Sequence, residues 1–462
     1  MSSTLAPAPR AATPAAAAPL APPAGAGPLR RHWPLLPLAA TVLLLLLPLP
    51  AGDATASGKV TPADAASLLL VGVCALQALR GRAQRLTPLA ALVLGLPAVG
   101  LAVATATAGD PYAALPGFVR YLQVFVLVPA AVVLLVRDPR EFRLAAGCFV
   151  VLAVVQGAVG VMQYATHTGA SYQGENIRAV GTFGPGDVMG MATVVAYGLV
   201  AAAGVALAPD GTVSRRLRTA ATACALVLVV PLVLSFSRGA WIATAGAGLL
   251  IMVLAGVRRA LKVTAALVAA GVVLVGGLGV GSAMMAERLT SITQVGSAPD
   301  QSVIDRYTMW AAAGSMWQER PAAGVGLKGF PAHRDGHSGL GLSSGSDTAG
   351  AGQAYIRQPL LSPHNMYLLI LSEQGLIGLT ALAGGWAAVV VAGLRRLAAP
   401  DPAGRRMRDC GLVAIGLLVW QLTDFLYADI GGPSTVLTGV IIGLAAWWAI
   451  GSRDTLEGAP AR

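Results

Sequence analysis

The sequence predicts an all-α polytopic membrane protein of about twelve transmembrane helices, with one large external loop containing an amphipathic helix. Three observations predict this. Twelve apolar stretches recur along the 462 residues. The connections between them alternate in basic charge. Two connections are long and the rest short. Most of the stretches approach the roughly 20 residues that a helix needs to cross about 30 Å of hydrocarbon. A lipid-exposed segment has no water to satisfy its backbone, so it must be helical.

Residues 1–32 are rich in Ala and Pro and nearly uncharged. Such a segment cannot bury a core and reads as a disordered cytoplasmic tail. Arg30 and Arg31 ahead of an apolar run resemble the start of a signal peptide. Cleavage would remove the anchor that starts the topology, so an uncleaved first helix is expected. Residues 33–285 carry nine predicted spans: 33–50, 62–79, 87–108, 118–136, 144–164, 188–208, 220–236, 240–257 and 263–285. The large external loop follows at 286–363. The spans 366–391, 410–427 and 435–450 lie within 364–450, and 451–462 form a second cytoplasmic tail.

With the N-terminus in the cytoplasm, 22 of the 32 Lys and Arg fall on the cytoplasmic side. Each cytoplasmic segment has at least two, in agreement with the positive-inside rule. Both termini are therefore expected in the cytoplasm. The pI near 10 is mostly a topology signal. Basic residues dispersed over seven segments do not suit a nucleic-acid partner. Cys74, Cys148, Cys224 and Cys410 all fall inside predicted helices, so no structural disulfide is expected, and no Cys/His spacing suggests a metal.

Ten basic residues stand against the bias: Lys59, Arg120, Arg178, Arg238, Arg288, Arg306, Arg320, Lys328, Arg334 and Arg357. Solubility accounts for Lys59, Arg334 and Arg357, which sit in polar loops. Arg120 and Arg238 are embedded in apolar sequence. Only five residues, Ser235 to Gly239, separate two spans, so Arg238 stays at the interface or folds into the bundle. Glu373 and Asp424 also lie at membrane depth, where ionisable groups face a cavity or an internal partner.

The long loops have their own organisation. Ser302 and Asp305 have capping-box spacing, and Val303, Tyr307, Trp310 and Trp317 follow at helical spacing up to Pro321. Gly314 shares that face and weakens it. Such a helix either lies on the outer membrane face, its Trp residues at headgroup level, or packs on the bundle. Gly324 to Gly329 make a Gly-rich turn. Residues 333–353 are Gly/Ser-rich and read as a flexible flap or disordered insert.

The external side thus collects Arg120, Arg178, Arg238, Arg306 and His364. Guanidinium groups bind phosphate oxygens in bidentate fashion. A neutral His can act as general base toward a hydroxyl. An outward-facing, membrane-embedded site of this kind suits glycosyl transfer from a polyprenyl diphosphate, with Arg in the role metals play elsewhere.

Four motifs carry a family resemblance: Arg178-Ala-Val-Gly-Thr-Phe183 opening the sixth span, Ser235-Phe-Ser-Arg-Gly-Ala-Trp241, Pro321-Ala-Ala-Gly-Val-Gly-Leu-Lys-Gly-Phe330, and His364-Asn-Met-Tyr-Leu-Leu-Ile-Leu-Ser-Glu-Gln-Gly-Leu-Ile-Gly378. In their order and spacing they resemble the O-antigen ligase and polymerase superfamily of GT-C type membrane glycosyltransferases. The resemblance implies an enzyme that is metal-independent, needs no cofactor and inverts the anomeric centre. The implied donor is an undecaprenyl-diphosphate-linked glycan, and the acceptor is a hydroxyl of a lipid or cell-surface glycan. It implies that Arg178 and Arg238 hold the diphosphate and that His364 is the base or orients the acceptor. Asn365 would position His364 or start its helix. Arg306 fits a further phosphate or glycan contact, and Arg120 is added from its burial. The family's Pro-Asn pair is replaced here by Gly184-Pro-Gly-Asp-Val188, where Asp187 can take over helix capping.

Polymerase activity with the same donor shares these motifs. A lipid-linked glycan transporter is the reading from another class, but there is no inverted repeat and no pair of broken helices in matching halves. A GT-C enzyme using an acidic base would draw on Asp53 or Asp64. Asp64 is better explained by a capping box with Thr61, with Pro62 as the first helical residue.

Overall fold

In the computed structural model the described residues are 32–48, 60–256 except 173, 301–399 except 340 and 352, and 407–451, with single positions 258, 261, 265 and 269. Nearly all of the ninth predicted span, Arg288, Lys59, Asp53 and nearly all of both predicted tails lie outside them. The other predicted spans fall on helices. These are α1 (Leu36–Leu43), α2 (Pro62–Leu79), α3 (Pro88–Ala106), α4 (Pro111–Leu135), α5 (Pro139–Thr166), α6 (Gly190–Ala206), α7 (Arg215–Leu234) and α8 (Arg238–Ala255). After α9 (Gln301–Glu319) and α10 (Phe330–His337) come α11 (Met366–Ala398), α12 (Arg408–Asp424) and α13 (Thr435–Ile450). Seven described helices are long and apolar enough to cross a membrane: α2, α3, α4, α5, α7, α8 and α11.

Local chemistry sets the helix starts. Thr61, Thr87, Asp110 and Asp138 each accept a hydrogen bond from an amide of the first turn, and each is followed directly by Pro. Proline loses nothing at that position, because its missing N–H would have had no partner inside the helix. The Thr61–Asp64 capping box is present in full.

Helices α6, α12 and α13 lie at the centre, buried along nearly their whole length. Lipid tails are as apolar as leucine, so close backbone approach and polar pairs must hold such helices together. A Cβ added at Gly198 would lie 2.1 Å from the Ala153 methyl, and one at Gly443 would lie 2.6 Å from Val132 Cβ. Tyr197 of α6 donates to Gln421 of α12. Thr438 of α13 donates to the same Gln421 oxygen at 3.1 Å. Trp420 donates to Thr244 of α8 at 2.9 Å. Where α5 and α12 begin, Arg143 grips the fully buried Asp409 with two bonds of 2.5 and 2.9 Å.

One helix is discontinuous. In α11 the backbone leaves helical geometry at Gly375 (φ 62, ψ −161). The freed groups find partners in the chain at 321–330. Val325 N donates to Ser372 O at 2.8 Å and Gly326 N to Glu373 O at 3.0 Å. Leu376 N donates to Pro321 O at 2.9 Å and Ile377 N to Ala322 O at 3.1 Å. A broken helix at membrane depth is tolerated only when its backbone is re-satisfied in this way. The same loop reaches α3, where Leu327 N donates to Ala104 O at 3.0 Å. Helix α9 lays Met309, Ala312, Ala313 and Met316 into the interior and packs on α11. The packed face is not the predicted stripe of Val303, Tyr307, Trp310 and Trp317, of which Tyr307 stays exposed.

The all-α expectation needs amendment. The chain is mostly helical, but it also has a four-stranded antiparallel sheet. The strands are β1 (Ala170–Tyr172), β2 (Glu175–Arg178), β3 (Ser346–Gly350) and β4 (Gln353–Gln358), in the order β2-β1-β3-β4. Two expectations change with it. Arg178 ends strand β2 instead of opening a helix, and the predicted 333–353 flap contains most of α10 and all of β3. The strands are too short to show a period, and they pair across a long sequence gap, with Ala170 opposite Gly350.

Gly375→Ala should break the joint in α11. The left-handed backbone alone costs a non-glycine residue about 1–3 kcal/mol, and a Cβ there would lie 2.3 Å from Ala322 O. The expected outcome is a loss of folded, monodisperse protein in detergent with a lowered melting temperature. Ala at Gly72, where nothing lies within 4 Å, should be tolerated.

Candidate functional site

The turn from α7 to α8 is only three residues long, and its geometry is held from outside. Phe236 adopts φ 50, costly for an aromatic residue. Its ring stacks flat on Tyr172 of β1, centroids 4.8 Å apart and planes 4° apart. Tyr172, Ile177 and Phe236 form a small buried cluster of their own, with Tyr164 against it. Ala179 N donates to Leu234 O at 3.1 Å, and Arg178 Nε donates to Ser235 O at 3.0 Å. Arg178 is thereby fixed to the turn that carries Arg238. Ser237 caps α8 behind Arg238.

His364 is held from two sides. The carbonyl just before it, Pro363 O, accepts from the Trp310 indole at 2.8 Å. Just after it, Asn365 caps α11 by accepting from Leu368 N at 3.0 Å and donates to Leu426 O at 3.2 Å. Met366 N is shared between Phe425 O (2.9 Å) and Ala428 O (3.1 Å). His364 itself has φ 47, a strained conformation of the kind that clusters at functional sites. Its charged neighbours are Asp429 and Arg306. Burial pushes its pKa below the ordinary histidine value, the Asp429 carboxylate raises it, and the Arg306 guanidinium lowers it again.

The loop between α12 and α13 joins the two groups. Tyr427 lies against Gly239, at 3.5 Å from where its Cβ would be, and Asp429 follows it. Further along, Gly432 abuts Asp187, whose carboxylate lies 2.6 Å from the position a Cβ would take. Asp187 accepts from Gly190 N, the first amide of α6, at 3.0 Å, which is the capping role expected of it. Burial raises its pKa to about 6. The elements that carry Arg178, Arg238, Arg306, His364 and Asn365 are therefore linked to one another through the α12–α13 loop and the turn before α8.

Arg120 is placed differently. It forms an ion pair with Asp64 at the start of α2 and also donates to Gln123 at 3.3 Å. Its guanidinium serves the junction of α2 and α4. Glu373 sits in the α11 break, where it accepts from Phe330 N at 3.2 Å, with Lys328 and Asp429 as charged neighbours. Sequence reasoning passed over Asp429, an acidic residue in a short Gly-containing loop, and read Lys328 only as a charge-bias exception. Lys328 Nζ lies 5.5 Å from the centre of the buried Tyr121 ring. The one available signal for Lys328 was its place inside the 321–330 motif.

Residues 223–383 match the family described as O-antigen ligase. No curated protein matches the chain. The matched segment includes Arg238, Arg306, the 321–330 loop, His364 and the break in α11, so over this stretch the chain is similar to the O-antigen ligase family.

Proposed function

We propose that this membrane protein moves a glycan from undecaprenyl diphosphate to a hydroxyl of a lipid or cell-surface glycan on the external face of the plasma membrane. Transfer is metal-independent and inverts the anomeric centre. The observation that carries this reading is the convergence at one bundle end of a fixed Arg pair with a positioned histidine. Arg178 is bound to the turn carrying Arg238, and His364 lies between Arg306 and Asp429.

Arg178 and Arg238 hold the diphosphate and stabilise the charge it gains on leaving. Preorganised donors of this kind act where charge develops and do not reorganise during the reaction. Arg306 makes a further phosphate or glycan contact. His364, kept neutral by burial, takes the proton of the acceptor hydroxyl as its oxygen attacks the anomeric carbon and the C–O bond to the diphosphate breaks. Asn365 holds His364 at the head of α11. Arg120 is left out of the site because Asp64 already occupies it. A deletion strain tests the ligase assignment: polymeric lipid-linked glycan should accumulate, whereas single repeat units would indicate a polymerase.

The first residue-level test is at Arg238. Arg238→Ala should cost roughly 10²- to 10³-fold in turnover while the protein stays abundant and folded. Arg238→Lys should recover only part, since it lacks the bidentate fork. Near-normal turnover by a well-folded Arg238→Ala protein would remove Arg238 from the mechanism.

His364→Asn keeps hydrogen bonding but cannot take up a proton near neutrality, so it should bind donor and transfer almost nothing. The pH profile gives a second check. A neutral base is needed, and its pKa is lowered, so the acid limb of kcat/KM should fall below pH 6.5. Asp429→Asn removes a charge that raises the His364 pKa and should shift the limb further toward acid. Arg306→Ala removes one that lowers it and should shift the limb toward neutral. Shifts of the same sign in both variants would contradict the assignment of His364 as base.

Orientation is tested by labelling. A cysteine at Ser344 should react with an impermeant thiol reagent in intact cells, and one at Ala403 should not. The reverse pattern would move the proposed site to the cytoplasmic face.

A further inference from the structure

Helix α9 has one face that the reaction above does not use. Met309, Ala312, Ala313 and Met316 fill its buried side. Tyr307, Trp310, Gly314 and Trp317 are spaced three, four and three residues apart, so they form a stripe on another face. Tyr307 is 52% exposed and meets Trp310 edge to face, centroids 5.5 Å apart and planes at 85°. Gly314 has nothing within 4 Å of where a Cβ would be. The stripe therefore has aromatic walls on either side of an open notch. By helical rise it runs about 15 Å from Tyr307 to Trp317. At its far end the Trp317 indole N–H is buried, with no hydrogen-bond partner among the described residues. A buried donor left unpaired is costly and calls for an acceptor. At its near end Trp310 donates to the carbonyl preceding His364, and Arg306 adjoins Tyr307.

We infer that this stripe is a saccharide-binding groove that receives the glycan of the substrate as it leads away from the reacting centre; the inference rests on the glycan-transfer reading above. A pyranose ring has a face of C–H groups that lies against the electron-rich face of an aromatic ring, and a rim of hydroxyls. The notch over Gly314 admits a ring between Trp310 and Trp317, and a hydroxyl oxygen there accepts from the Trp317 N–H. The direct contact of Trp310 with the His364 loop makes the groove continuous with the site.

The test uses the purified full-length protein and two donors. One is undecaprenyl diphosphate carrying the full glycan, isolated from a deletion strain. The other is undecaprenyl diphosphate carrying a single sugar. Gly314→Leu fills the notch and raises helix propensity, so folding should be retained. Gly314→Leu and Tyr307→Ala should raise KM for the full donor about tenfold, while transfer from the one-sugar donor changes less than twofold. A separate readout does not require transfer. Polysaccharide released from the full donor should change tryptophan emission of the native protein and not of Gly314→Leu. If the native protein binds the polysaccharide in this way yet transfers neither donor, the transfer reading falls and the groove stands. The inference is overturned if both variants leave the full donor's KM unchanged. It is also overturned if they impair both donors equally, which would mean that the stripe only props the His364 loop. Quenching of the stripe by brominated phosphatidylglycerol with no response to polysaccharide would assign it to the lipid headgroup layer and overturn the inference as well.

Discussion

The placement of the His364 loop depends on the need to pair the backbone groups released where α11 breaks. Inside a membrane an orphaned amide or carbonyl costs several kcal/mol. The break at Gly375 is sustained because the 321–330 loop supplies two donors and two acceptors to it. That requirement brings the loop inside the bundle. The loop in turn fixes the end of α9 on one side and touches α3 on the other. With α9 fixed, Trp310 can hold Pro363, and Arg306 lies beside His364. The His364 loop is thus positioned by main-chain hydrogen bonding about ten residues away along α11.

The Arg pair follows a different principle. Two guanidinium groups near each other repel, and a loop as short as residues 235–237 does not hold its shape unaided. The stacked Tyr172–Phe236 rings and the Arg178 bond to Ser235 O give that turn an external mould. The mould costs a left-handed Phe236, and the buried aromatic area of the cluster offsets it. Arg143–Asp409 and Arg120–Asp64 show the contrasting use of arginine, as paired charges that join helices.

The helices were legible because each rests on local information: an apolar run of the right length, a Thr or Asp cap and a Pro behind it. Residues 62–79 were read with the bounds that α2 has. The short connection read at Ser235 to Gly239 and the α9 helix ending before Pro321 were legible for the same reason. The sheet was not, since neither hairpin has a strand pattern and their partnership spans Ala170 to Gly350. Arg178, Arg238, Arg306 and His364 stood out as basic or titratable groups on the wrong side of the charge bias or at a helix start, and they lie on elements linked through the α12–α13 loop and the turn before α8. Arg120 stood out equally. Its partner Asp64 was visible too, but as a cap, and only packing shows that one carboxylate serves both. Asp429 was missed because an acid in a loop is unremarkable until the loop is folded over a histidine.

The sheet has a consequence for how the protein is made. Its two hairpins come from connections on either side of α6, α7 and α8, and Arg178 and His364 are divided in the same way. A ribosome-bound chain inserted only as far as α8 holds Arg178 and Arg238 but has no α9, no His364 and no β3 to lie beside β1. Closing so long a loop is slow and entropically costly. A partly inserted chain therefore lacks half of the proposed site, which is assembled only when the last helices have entered the bilayer.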